Sequence, residues 1–364
     1  MLLTDAFGGF GGISKFNRDF LAALNGCSSV ERVHALPRLL TEPIEEVIPE
    51  AVIFNRKAAR GRIAFAKELL RLTLRAERAD LVISGHLHLL PLAWLAARHQ
   101  QARLALIVHG FEAFLPTRNT LTNLVADRID AFIAVSRYSA DRFVRWSKVA
   151  RDRGFILPNC VDLTCFTPGE RDRSLVDRYG LHSSKVMLTM GRMAAGERYK
   201  GFDEVIDAMP QLLQRFPDLK YLIVGDGSDR RRLEATVKLL GLSNCVIFAG
   251  CIPESEKVAH YNLADVFVMP SYGEGFGIVL IEAAACGIPI VGSSVDGSRD
   301  ALLDGRLGRM VDPKRPDELL EAITAAIGGA RRRARNDLVE TFGVGRFRGR
   351  VAHWMDRQVA LAAA

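Results

Sequence analysis

The sequence predicts an α/β protein made of two doubly wound parallel sheets, and three observations predict it. Short apolar runs rich in β-branched residues recur along the 364 residues, amphipathic intervals of helix length separate them, and one stretch of turn chemistry divides the series in two. Near-continuous apolar runs suit strands covered on both faces, as in parallel sheets, whereas one-sided antiparallel sheets alternate. With 49% hydrophobic and 25% charged residues the chain is an ordinary globular one, long enough for two cores.

Taken in order, Met1 to Thr4 reads as a truncated first strand, followed by Gly8-Gly-Phe-Gly-Gly-Ile-Ser14 and an amphipathic helix over residues 15–24. Residues 56–78 project as a basic amphipathic helix. Arg60, Lys67, Arg71, Arg75 and Arg78 fall within about 80° of one another at about 100° per residue, with Ile63, Leu69, Leu70, Leu72 and Leu74 elsewhere on the wheel. That pattern fits either a solvated face above a core-facing stripe or a surface for anionic headgroups or an anionic acceptor, and Lys15 is a further cation for such a surface. Residues 80–84, 104–108 and 131–135 read as buried strands. Turn chemistry at 157–169 opens the linker, after which strands at 185–190, 220–224, 246–248, 266–269 and 289–291 repeat the rhythm. Beyond Gly329 come Arg331-Arg-Arg-Ala-Arg335 and a final helical stretch. The expected domains are residues 1–165, 166–340 and a closing helix over 341–364.

The net charge of +7 favours anionic partners. Residues 1–165 hold 22 basic and 16 acidic side chains, residues 166–330 hold 19 and 23, and residues 331–364 hold 8 and 3, so the excess lies outside the second series of strands. Nothing like an RNP strand, a KH loop or interleaved aromatics points to nucleic acid. The six cysteines form no CxxC pair and read as buried reduced thiols rather than a zinc site. No signal-peptide pattern and no apolar run of ~18 residues occurs, so the expectation is a cytoplasmic chain.

In doubly wound sheets ligands sit beyond the carboxyl ends of the strands, and four loops there carry chemistry. Ser271-Tyr-Gly-Glu-Gly-Phe-Gly-Ile278 opens onto a helix bearing Glu282. Its glycines allow backbone N–H groups to be bared at a helix N-terminus, where an anion such as phosphate is favoured, while Glu274 and Glu282 suit hydroxyls. Gly191-Arg-Met-Ala-Ala-Gly-Glu-Arg-Tyr-Lys-Gly201 puts Arg192 and Lys200 within reach of one diphosphate without a metal. The N-terminal glycines do not complete a dinucleotide fingerprint, because Ser14 stands where a third glycine is required. His109 stands at a strand end.

This constellation resembles a retaining glycosyltransferase of the GT-B fold, family 4 type. Gly11 and Gly12, His109, Ala134-Val-Ser136, Pro158-Asn-Cys-Val-Asp162, Gly191-Arg192 with Lys200-Gly201, Val224-Gly-Asp-Gly227, Ala264-Asp-Val-Phe-Val-Met-Pro-Ser271 and the pair Glu274 and Glu282 carry the resemblance over nearly the whole chain. Cys160 departs from it, where the family commonly has glycine. The resemblance implies two facing Rossmann-like domains, a nucleoside-diphosphate sugar held by the second, a glycan or lipid-linked acceptor held by the first, and a final helix crossing back to the first. It gives Arg192 and Lys200 the donor diphosphate in place of a metal, Glu282 the ribose and Glu274 the transferred sugar. It gives backbone groups of Gly275, Phe276, Gly277 and Ile278 the sugar and phosphate, and Gly12 the diphosphate. His109 falls near the anomeric centre and Ile252 at the nucleobase edge. No cofactor and no metal are required on this reading.

The family's favoured mechanism is front-side attack with no protein nucleophile; a two-step displacement would make Glu274 the first candidate. Rival readings are a nucleotide-sugar 2-epimerase of the same fold and a basic membrane-surface module without catalysis. The residues leave the sugar, the nucleotide and the acceptor open. If the tail folds back, the basic excess sharpens into an acceptor-side expectation: a lipid-linked or phosphate-bearing acceptor, or peripheral contact with the inner face of the cytoplasmic membrane, through Arg60, Lys67, Arg71 and Arg75.

Overall fold

The computed structural model describes all residues except Ala76, residues 330–335 and Ala364, so the arginine run 331–335 lies outside the described residues. The chain divides into two compact units: unit 1, Met1–Cys160 with Val344–Ala364, and unit 2, Val161–Gly343.

Unit 1 is built on β1 (Leu2–Leu3), β2 (Val33–Pro37), β3 (Val52–Phe54), β4 (Leu81–Ser84), β5 (Arg103–Val108), β6 (Ala131–Ala134) and β7 (Gly154–Ile156), in the order 3-2-1-4-5-6-7. Unit 2 is built on β8 (Lys185–Met190), β9 (Leu219–Val224), β10 (Val246–Gly250), β11 (Val266–Met269), β12 (Ile290–Ser293) and β13 (Arg309–Val311), in the order 10-9-8-11-12-13. All of these strand pairings are parallel. The central strands are the apolar runs seen in the sequence: every residue of β6 and β11 is buried. The strands the sequence reading passes over are β2, β3, β7 and β13. They are short, lie at or next to a sheet edge, and carry polar or half-exposed residues such as His34 and Arg309, so no continuous apolar run marks them.

Strand order reverses direction between β1 and β4 in unit 1 and between β8 and β11 in unit 2. Each reversal opens a crevice at the carboxyl ends of those strands, where the loops following them diverge.

Both unit boundaries differ from the expected ones. The Val161 amide donates to the Phe342 carbonyl at 2.9 Å, which ties residues 161–165 to unit 2 rather than unit 1. Residues 341–343 also stay with unit 2: they close a separate helix, Asn336–Phe342, whose Phe342 ring meets Phe276 edge-on at 5.6 Å. The last helix, Val344–Ala363, packs on Gly12–Leu24 of unit 1. Phe347 meets Phe16 at 5.9 Å and the fully buried Trp354 meets Phe20 at 6.1 Å, so burial of aromatic surface fixes the tail there. Unit 1 then carries 26 basic against 16 acidic side chains, net +10, and unit 2 carries 23 against 26, net −3.

Two further expectations are corrected. Residues 56–78 do not form one helix: a 3₁₀ turn, Ala58–Arg60, is separated by Gly61 (φ 140°) from a helix at Arg62–Thr73, and Arg75 and Arg78 lie beyond its end. Its buried residues are Phe65 and Glu68, while Ile63, Leu70 and Leu74 are 86%, 57% and 61% exposed rather than turned to the core. Of the six free cysteines, Cys165 and Cys251 are exposed rather than buried.

Candidate functional site

The loop after β8 is stapled to its neighbour after β9. The Gly191 amide donates to Val224 O at 2.9 Å, Met193 N–H to Asp226 O at 2.9 Å, and Asp229 N–H to Met193 O at 2.8 Å. With both flanking residues fixed, Arg192 points outward, its side chain 70% exposed and paired with Glu197. Lys200 ends the short 3₁₀ segment Ala195–Lys200 and is only 14% exposed. Its Nζ lies 3.2 Å from Glu274 Oε2 and 3.8 Å from Glu197 Oε2. The fold therefore brings Arg192, Lys200 and Glu274 together at the β8/β11 crevice, and adds Glu197, an acid the sequence reading passed over although it lies inside the loop.

From β11 the chain runs through Ser271–Gly277 into the helix Ile278–Ala285. Gly277 has φ 88°, a left-handed conformation that glycine adopts without strain, and no side chain caps this helix. The leading end of the helix thus turns its positive pole to the crevice unobstructed by a capping group. Phe276 is buried against Phe342, so only its backbone faces the loop. Ile252 is half-buried just beyond edge strand β10, two strands away from β8.

Glu282 is where the structure departs most from expectation. Its side chain is 0% exposed; Oε1 lies 2.9 Å from Lys257 Nζ, and Oε2 accepts from the Tyr261 hydroxyl at 2.8 Å. Burial alone would push the Lys257 ammonium down, but Glu282 and Glu254 outweigh it and hold its pKa above the ordinary lysine value. Burial, reinforced by the Glu282 charge, pushes the Tyr261 phenol well up. The carboxylate is closed off, and a ribose hydroxyl reaches it only if Lys257 swings aside. Lys257 and Tyr261 carry no glycine or strand-end signal, and only the packing of helix Lys257–Leu263 against Ile278–Ala285 reveals them.

In unit 1, Gly12 is the first residue of helix Gly12–Leu24 after the loop from β1. His109 follows β5, and its ring meets Phe16, one turn beyond Gly12, edge-on at 5.2 Å. Both residues therefore stand at the β1/β4/β5 end of the sheet. His109 Nε2 is 2.9 Å from the Gly85 carbonyl, an acceptor only, which assigns the proton to Nε2 and leaves Nδ1 as an acceptor. Burial lowers the His109 pKa despite Glu112 and the Gly85 carbonyl, so the imidazole is neutral at pH 7. Glu112 Oε1 accepts the His109 and Gly110 amides at 2.7 and 3.1 Å, fixing the turn. His86, at the end of β4, was not singled out from the sequence. It is buried, which pushes its pKa down to about 4.

The basic candidates do not share one surface. Lys15 sits on helix Gly12–Leu24, paired with Asp19 at 2.7 Å and donating to Cys160 O at 3.1 Å, whereas Arg60, Lys67, Arg71 and Arg75 lie on or beside Arg62–Thr73. Arg71 pairs with Glu68 at 3.2 Å. A cavity of about 720 Å³ in unit 1, lined in part by Arg32, Leu69, Leu72, Arg75 and Met355, opens at the amino ends of β1, β2 and β4, away from the crevice. Among the described residues no cluster of three or more His, Cys, Asp or Glu side chains is arranged to hold a metal ion, and no helix is long and apolar enough to cross a membrane.

Two parallel Rossmann-like sheets, one of them with cationic and carboxylate side chains at its switch point, define a protein of the GT-B fold. HepE of Anabaena in complex with UDP-glucose shares it, with a TM-score of 0.76 over 98% of this chain and 99% of that one at 20% identity. Residues 11–164 match the model of Glycosyltransferase Family 4 and residues 178–340 that of Glycosyl transferases group 1; the chain belongs to the family 4 glycosyltransferases. A GDP-mannose-dependent α-(1-6)-phosphatidylinositol monomannoside mannosyltransferase of Mycolicibacterium smegmatis is 35% identical over 247 residues, 64% of this chain and 62% of that protein. A phosphatidyl-myo-inositol mannosyltransferase of Mycobacterium tuberculosis is 36% identical over 205 residues, 56% and 50% respectively. The matched region thus spans about three fifths and one half of these curated relatives.

Proposed function

We propose that this protein transfers a hexosyl group from a nucleoside-diphosphate sugar to a lipid-linked or glycan acceptor, with retention of configuration and without a metal ion. The observation that carries this reading is the meeting of Arg192, Lys200 and Glu274 at the β8/β11 crevice, beside an uncapped helix N-terminus at Gly277. Departure of a nucleoside diphosphate develops negative charge on the leaving oxygen, and two cations and a helix dipole are what that charge needs. In a front-side transfer the acceptor hydroxyl proton passes to a donor phosphate oxygen, so no protein nucleophile is required. Glu274, in its ion pair with Lys200, then serves the sugar hydroxyls. Backbone groups of Gly275 to Ile278 serve the diphosphate and sugar, Ile252 the base, and Glu282 the ribose after displacement of Lys257.

The names of the two mannosyltransferase relatives make GDP-mannose the first donor and an inositol phospholipid the first acceptor. The surface of unit 1 supports an acceptor presented by an anionic membrane at its cytoplasmic face. Exposed Ile63, Leu70 and Leu74 alternate with Arg62, Lys67, Arg71 and Arg75, and the helices packed in sequence beside them expose Leu92 and Leu95, then Leu121 and Leu124. Apolar side chains among cations are the pattern of a surface that lies in a lipid interface.

The test incubates the protein with labelled GDP-mannose, UDP-glucose and ADP-glucose, with and without vesicles containing phosphatidylinositol, in the presence and absence of EDTA. Acceptor-dependent release of nucleoside diphosphate that survives EDTA, with the anomeric configuration retained by NMR, is expected. Interconversion of the donor sugar without any acceptor would put an epimerase in its place.

A further inference from the structure

Beneath the Glu274 loop lies a buried carboxylate. Asp296, in the turn after β12, accepts the Glu274 amide at 2.8 Å and the Ser271 hydroxyl at 2.7 Å on Oδ2, and the Ser298 amide at 3.0 Å on Oδ1. The next residue completes the hold: Gly297 N–H donates to the Glu274 carbonyl at 2.9 Å. A Cβ at Gly297 would stand 2.1 Å from the Gly275 carbonyl oxygen, so glycine is what permits this approach. The main chain of Glu274 is therefore gripped on both sides by residues 296 and 297, the N–H by a carboxylate and the C=O by an amide. The Glu274 side chain leaves that fixed point to meet Lys200 at 3.2 Å.

We propose that Asp296 is a positioning residue for Glu274, its ionised carboxylate holding the Ser271–Gly277 loop in the geometry the transfer step needs. An ionised group under a loop is a costly way to gain stability alone, because burial opposes the charge. What it supplies is direction: three donors converge on two oxygens, and a neutral side chain of the same shape can accept from only part of them. Burial pushes the Asp296 pKa up to about 6; the Glu274 amide, Ser271 and Ser298 pull against that rise, and the Glu274 charge adds to it. Of the charged groups around it, Glu274 faces it and is itself paired with Lys200, while Arg299 on the following helix is turned to Asp304 at 3.1 Å. Protonation converts one acceptor oxygen into a donor that faces an N–H or hydroxyl, so the grip loosens as pH falls through about 6.

The inference rests on the transferase reading, but one arm of its test does not. Asp296→Asn keeps the shape and removes the charge. In the ligand-free protein, hydrogen exchange of the peptide spanning 271–277 should quicken at least tenfold in this variant, with β8 and β9 unchanged. The wild type should show the same quickening below about pH 6, after correction for intrinsic exchange. With GDP-mannose and the lipid acceptor, kcat should fall at least tenfold while KM for the donor stays within threefold, and an acid limb near pH 6 should vanish. Ser271→Ala, which keeps the charge and removes one donor, should move that limb upward by several tenths of a pH unit and keeps the question open to disproof if the Asn variant does not fold. Unchanged exchange, or altered exchange with unchanged kcat and pH profile, overturns the proposal. Altered exchange in a protein that turns over none of the donors sinks the transferase reading and leaves the grip standing.

Discussion

Lys257→Met is the most severe probe of unit 2, because it removes the ammonium 2.9 Å from a carboxylate with no solvent exposure. Breaking one side of a buried pair strands the other charge, and such losses run to about 3–5 kcal/mol. Tyr261 still donates to Glu282 Oε2, which places the expected loss near the low end, about 3 kcal/mol. For a unit of this size that is a fall in midpoint of roughly 6–12 °C. The three tryptophans, Trp94, Trp146 and Trp354, all lie in unit 1, so calorimetry rather than tryptophan emission reads the change. Adding Glu282→Gln neutralises the stranded charge, and the double variant should recover to within about 1 kcal/mol of wild type. The sign with pH also follows. Because the folded-state pKa of Lys257 is raised, its contribution is complete below the ordinary lysine value of 10.5 and is lost only as pH rises through the raised one, so titration of Lys257 itself leaves wild-type stability unchanged between pH 6 and 8. A single-variant loss under about 1 kcal/mol, or no recovery in the double variant, refutes the buried-pair reasoning.

Lys200→Ala and Arg192→Ala should each lower kcat with GDP-mannose by about 10² or more with the melting curve unmoved, from loss of stabilisation of the leaving diphosphate; full activity in both would remove these residues from the diphosphate. Glu197 is paired with Arg192 and lies 3.8 Å from Lys200, so Glu197→Gln should free Arg192, leave Lys200 paired with Glu274 alone, and tighten binding of GDP several-fold in calorimetry, whereas weaker binding would make Glu197 part of the site instead. Replacing Arg60, Lys67, Arg71 and Arg75 together by Glu should reduce sedimentation with vesicles containing anionic lipid at least tenfold at low salt, since each basic residue near such a surface contributes about 1 kcal/mol. Equal sedimentation of wild type and variant would end the membrane proposal.

The legibility of the site followed the locality of its signals. Arg192, Lys200, Glu274 and Gly277 stand in loops directly after strongly apolar strands, β8 and β11, and both the strand and the glycine-rich turn are written within a dozen residues. The central strands were readable for the same reason: burial on both faces demands apolar residues at every position. At or next to a sheet edge, β2, β3, β7 and β13 are short, carry half-exposed positions and left no comparable trace.

Partners distant along the chain were invisible in the sequence. Lys257 closing Glu282, Asp296 and Gly297 gripping the Glu274 main chain, and Phe347 and Trp354 seating the last helix on unit 1 are meetings of groups from separate elements. The helix wheel over residues 56–78 ran through a break at Gly61 and past the helix end at Thr73, and it turned Ile63, Leu70 and Leu74 inward, because periodicity reports relative angle and neither where a helix stops nor which side of it the sheet covers. Backbone chemistry and apolar periodicity act over a few residues and so are spelled out locally. Which charge is buried against which, and which apolar face is left uncovered, depends on how the strands are ordered and the helices laid upon them, and that is settled only when the whole chain packs.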